Sequence, residues 1–144
     1  MRYDHLPVFL KCEELLTLLY SSKQISSVTR DLKYTMVEQL KEETFQVLES
    51  IYDAQYSESA KEKTEHLHRG RLYVMRIKLR IRVLKSCGAI NEKLYATLLE
   101  YAQDMAEQMK KWYDKTKRNA DSQEEAKTQD NGAESKEPAQ PSLF

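Results

Sequence analysis

Between His66 and Asn91 the chain carries seven cations and no acid: Arg69, Arg71, Arg76, Lys78, Arg80, Arg82 and Lys85. Any fold must place all of them. Wound at about 100° per residue, they fall into two stripes. Arg69, Arg76 and Arg80 share one. Arg71, Lys78, Arg82 and Lys85 share the other, nearly opposite. Two apolar faces lie between the stripes. Leu72, Met75, Leu79 and Val83 form one; Val74, Ile77, Ile81 and Leu84, with Tyr73 at the edge, form the other. A surface helix of a monomeric bundle needs a single apolar stripe. Two readings fit the second: a neighbouring subunit covers it, or a wide core is flanked by arginine stems that keep their heads in water.

The same run contains like-charged pairs four residues apart, Arg76/Arg80 and Lys78/Arg82. Such pairs repel by a few tenths of a kcal/mol on an exposed helix. Either acids of other helices neutralise them, or they form a surface for phosphate, whose oxygens match the arginine fork. Contact with phosphates gives salt-sensitive binding without base specificity.

Apolar periodicity supplies the rest of the architecture. Val8, Phe9, Cys12, Leu15, Leu16 and Leu19 repeat at three and four residues behind Pro7, which predicts an amphipathic first helix ending at Tyr20-Ser-Ser. A polar connector, 21–31, follows. Val37, Leu40, Thr44, Val47, Leu48, Ile51 and Tyr52 or Gln55 predict a second helix from about Asp31 or Lys33 to about Ser57, with Glu38, Lys41, Glu42, Glu49 and Asp53 on its solvated face. The basic helix runs from about Ser59 to Ser86 and stops at Cys87-Gly88. Asn91 caps a fourth helix, in which Leu94, Leu98, Tyr101, Met105, Met109 and Trp112 recur, to about Lys117. Helices of these lengths on short turns predict an all-α, antiparallel up-down four-helix bundle over 1–118.

Composition agrees: 144 residues suit one domain, and three Gly with three Pro suit long helices. The formal net charge of zero conceals segregation. Residues 119–144 hold six acids and two bases, a net −4, and are read as a disordered acidic tail poor in apolar side chains. The remaining 21 bases and 17 acids leave the body at +4.

No stretch reaches the length of about 18 apolar residues that a membrane span needs. The first residues lack a signal peptide's apolar core. The expected location is therefore the cytoplasm. Cys12 and Cys87 fit it as small core residues rather than a disulfide framework. Glu65-His66-Leu67-His68 holds one Glu-x-x-His, but a helical di-iron site needs two copies with further Glu, so no metal is expected. There is no Gly-rich phosphate loop, CxxC or HExxH, so neither cofactor nor catalytic site is expected. Trp112 and Tyr113, among Lys110, Lys111 and Lys115, would either stack a base or close the end of the core.

Several segments resemble one family. They are the opening YDHLPVFLKCEELLTLLY, Lys33-Tyr34-Thr35-Met36 followed by Glu38-Gln39-Leu40, and the turn from Leu84 through Gly88-Ala-Ile-Asn to Tyr95. Met109-Lys-Lys-Trp112 is similar to the family's closing segment, with lysines where the family carries Gly-Gly. The family is the accessory variability determinant (Avd) of diversity-generating retroelements, a relative of the 23S rRNA intervening-sequence proteins, and the resemblance spans about residues 3–116. It implies a non-enzymatic, basic, pentameric barrel of four-helix bundles. Its partners would be the retroelement reverse transcriptase and template RNA, with DNA as a second polyanion, in support of mutagenic cDNA synthesis. Arg71, Lys78, Arg82 and Lys85 would then be the leading contacts for nucleic acid or polymerase, and Arg69, Arg76 and Arg80 the next. The alternative is a protein-interaction scaffold, or an intervening-sequence-type bundle without a polymerase partner.

Overall fold

The computed structural model describes residues 6–132, with side chains through 126. These residues form helices α1 (Pro7–Ser21), α2 (Lys23–Ser26), α3 (Arg30–Leu32), α4 (Glu38–Gln55), α5 (Ala60–Ser86) and α6 (Glu92–Gly132). A π-helical turn, Lys33–Val37, joins α3 to α4. No strand occurs among the described residues. The result is a helical bundle: α5 packs against α4 and α6, and α1 packs against the same two helices from the other side.

Local chemistry sets the ends of the elements. Pro7 opens α1, where its missing N–H is no loss. The Ser59 hydroxyl accepts from the Glu62 amide at 3.1 Å and starts α5. Gly88, at φ 74°, ends it. There the Gly88 amide donates to the Lys85 carbonyl at 3.0 Å and the Ala89 amide to Leu84 at 2.9 Å, a Schellman closure. Asn91 caps α6 as expected, its Oδ1 accepting from the Leu94 amide at 2.8 Å.

The core is contributed by all four long helices. Cys12, Leu15 and Leu19 meet Leu40, Val47 and Ile51, then Leu67, Ile77, Ile81 and Leu84, and finally Leu98, Met105 and Met109. Gly70 on α5 lies between Ser50 of α4 and Met109 of α6. A Cβ there would collide with the Ser50 hydroxyl and stand 2.6 Å from Met109 Cε.

The structure departs from the sequence reading in four places. The connector 21–31 is not wholly polar in role, because Ile25 on α2 is fully buried. Tyr52, an option for the buried stripe of α4, is exposed, and Leu48 is half-buried; Glu43, Ser50 and Ala54 take inward positions instead. Cys87 is exposed, and only Cys12 is a core residue. Burial pushes the Cys12 thiol far above its ordinary value, so it stays protonated. Lastly, α6 continues past Arg118 to Gly132. Ala, Gln, Glu and Lys propagate a helix without a core to pack on, whereas the composition bears on packing. Thr116 is the last buried side chain on α6 among those described, and 121–126 are exposed. Residues 133–144 of the acidic segment lie outside the described residues.

Candidate nucleic-acid interface

Helix α5 settles which apolar face is core. Val74, Ile77, Ile81 and Leu84 are buried with Leu67 and Gly70. Leu72, Met75, Leu79 and Val83 point outward at 43%, 62%, 62% and 36% exposure. Large aliphatic side chains lined up at this exposure make a patch rather than scattered surface residues. The wide-core reading therefore fails for this chain alone, because the second face is uncovered within it.

The seven cations divide by partner. Arg80 is tied down: its Nε donates to Glu43 Oε1 at 2.7 Å and its Nη2 to Glu43 Oε2 at 3.1 Å. Its Nη1 reaches the Thr35 carbonyl at 3.4 Å, inside the π turn. Glu43 is 5% exposed, so this fork braces α5 against α4 at low dielectric. Arg69 donates from Nη2 to Asp53 at 2.8 Å, with His66 Nδ1 3.2 Å from Nη1. Lys85 pairs with Glu92 at 2.7 Å across the α5–α6 turn. The hydrogen bond to Glu92, then its charge, holds the Lys85 ammonium above its ordinary value. These three cations serve the bundle.

The other four have no ion pair within 4.0 Å among the described residues. Arg71 stacks over Tyr113 at 4.7 Å, and Arg76 over Tyr73 at 5.3 Å, each keeping its charge. Arg82 is exposed and Lys78 half-buried, neither with such a contact. Arg71 and Lys78 face α6 and share a shallow groove with Lys110 and Glu107. Asp114 lies near that groove. The hydrogen bond from Lys110 holds its carboxyl below the usual range, and the charges of Lys110, Arg71 and Arg118 act the same way.

The arrangement thus places four guanidinium or ammonium groups around an aliphatic stripe: Arg76 toward α4, Arg71 and Lys78 toward α6, and Arg82 between them and the stripe. Such a surface can hold a chain of phosphates through charge-assisted hydrogen bonds. Trp112 is half-buried and packs against the core, while Tyr113 supports Arg71.

Helical phase could have found Glu43. It sits three residues after Leu40 and four before Val47, on the buried stripe, and a buried acid needs a cation. Asp53, assigned to a solvated face, proved to be the partner of Arg69. Among the described residues no cluster of three or more His, Cys, Asp or Glu is placed to hold a metal, and no helix is long and apolar enough to cross a membrane.

No family model, curated protein or solved structure matches this chain.

Proposed function

We propose that this chain is a non-catalytic accessory protein that grips the phosphate backbone of nucleic acid with the outer face of α5. The observation that carries the reading is the set Arg71, Arg76, Lys78 and Arg82, none with an ion-paired acid among the described residues, Arg76 and Arg82 exposed and Arg71 and Lys78 at the rim of the groove against α6. With the resemblance to the Avd family, the reading extends to a cytoplasmic role beside the reverse transcriptase of a diversity-generating retroelement, with template RNA as the first ligand. In the same reading the four long helices run up and down, a topology that the short links 56–59 and 87–91 suit, and copies assemble into a ring of five.

The test is a fluorescence titration of single-stranded RNA at about 50 mM salt, repeated as salt rises. Log affinity is expected to fall linearly with log salt. Changing Arg71, Lys78 and Arg82 together to Glu should weaken binding equally for unrelated sequences and flatten the salt slope by about one per lost phosphate contact. Absence of binding at low salt overturns the reading.

The aliphatic stripe favours a second reading, a protein-interaction scaffold, because phosphates have no use for Leu72, Met75 and Leu79. A chain that ignored RNA and still captured a polymerase would establish it.

A further inference from the structure

The groove between α5 and α6 has an apolar floor and two unlike rims. Val74, buried, and Ala106, half-buried, supply the floor together with Met75, which is 62% exposed. The α5 rim is cationic. Arg71 and Lys78 have no ion pair among the described residues, and Arg71 is held over the Tyr113 ring at 4.7 Å. On the α6 rim the charge runs the other way. Lys110 gives its ammonium to Asp114 at 2.8 Å, while Glu107 is exposed with no ion pair among the described residues. An unused carboxylate and two unused cations thus share one apolar groove of about 210 Å³.

We propose that this groove seats one unpaired nucleobase, so that the surface takes single-stranded nucleic acid in preference to duplex. The inference rests on the phosphate-binding reading above and deepens it. A phosphate has no use for an apolar floor, and a carboxylate beside it repels it. The ligand that fits carries anions along one side and N–H donors along the other. A nucleotide does. Its phosphates would lie along Arg71 and Lys78, and its base would turn an N–H edge to Glu107, since an ionised carboxylate only accepts hydrogen bonds. Each of the four RNA bases offers at least one such N–H, so the seat reads no sequence. Met75 lies four residues after Arg71 and three before Lys78. A base between two held phosphates therefore falls on a thioether, a group that packs well against aromatic rings. Drug-sized ligands need pockets of roughly 300 Å³ or more, whereas this groove suits a flat base and little else. In a duplex the N–H edges are paired and the rings stacked inward, and drawing a base out costs its pairing and stacking. A grip on the backbone alone has the opposite preference, because a duplex carries twice the charge of one strand per unit length. Preference for the single strand is thus a signature of the seat and not of the cations.

The test is competition binding followed by fluorescence anisotropy at about 50 mM salt. The competitors, each about twelve units long, are an unstructured RNA strand, the same strand annealed to its complement, and a sugar-phosphate strand without bases. The RNA strand should bind roughly three- to tenfold tighter than either of the others. Met75→Ala and Glu107→Gln should each lower the ratio of strand to duplex affinity. Met75→Ala should do so by weakening the strand alone, and Glu107→Gln also by tightening the duplex. Lys78→Ala should weaken all three competitors alike. Met75 and Glu107 are both exposed, and far-UV circular dichroism checks folding. The sugar-phosphate comparison needs no variant and decides the question should either variant lose helicity. The proposal is overturned if the RNA strand binds no tighter than the duplex or than the sugar-phosphate strand, or if Met75→Ala keeps the full preference. Any of these outcomes leaves the phosphate reading standing. No binding of any competitor removes that reading, and the seat with it.

Discussion

Arg80 and Arg82 lie two residues apart on one helix and do different work. The Arg80 guanidinium lies across the α4–α5 seam, forked onto Glu43 and touching the π turn at Thr35. Arg82 reaches no acid among the described residues. Removing Glu43 leaves a half-buried guanidinium unmatched, which is worse than never having had the pair. Glu43→Ala should therefore lower stability by about 2–3 kcal/mol in urea, while Arg82→Ala should stay within about 0.5 kcal/mol. In RNA binding the order should reverse, with Arg82→Ala the more damaging of the two. Equal effects on stability would show that the α4–α5 fork does not brace the bundle. The sequence could not make this distinction, because all seven cations of α5 share a residue class and a spacing. Only the acids of α4 and α6 sort them into three structural and four outward groups.

Helix boundaries were legible wherever a side chain or a backbone angle enforces them. Ser59, Gly88 and Asn91 all act at the ends that their chemistry predicts. The buried face was legible for α1, whose apolar residues repeat cleanly; on α5 two apolar faces were legible, but not which of them is core. The faces of α4 were less legible. Its π turn shifts the phase before Glu38, and its outward side mixes Phe45 and Tyr52 with the acids that marked it as solvated. The course of α6 was missed for a related reason: a segment poor in apolar residues can be helical without being packed. That distinction makes a prediction. Beyond Thr116 the described side chains of α6 are exposed or half-buried, so the far end of the helix adds nothing to the core. An isolated helix of this length is marginal in water. Limited trypsin should clip α6 at Lys117, Arg118 or beyond, and a chain cut back to 1–118 should melt within a few degrees of the full chain. A markedly lower melting temperature would mean that the far end of α6 packs on something.

At the scale of the whole molecule, a formal charge of zero and a pI near 6.8 describe a chain that ion exchangers should ignore near neutrality. The arrangement of its charges says otherwise. Acids on α4 and bases on α5 occupy neighbouring sides, so the charge of the described bundle is segregated. A charged resin responds to the nearest few ångströms, since screening at 0.1 M salt limits its reach to about 10 Å. The molecule should consequently bind both cation and anion exchangers at pH 7 in buffer of about 0.1 M ionic strength, turning a different side to each. Reversal of Arg71, Lys78 and Arg82 should abolish retention on the first and spare it on the second, and retention on neither by the native chain would refute the picture. Beside a polyanion the same asymmetry would act as a rudder, turning a molecule of zero formal charge α5 first.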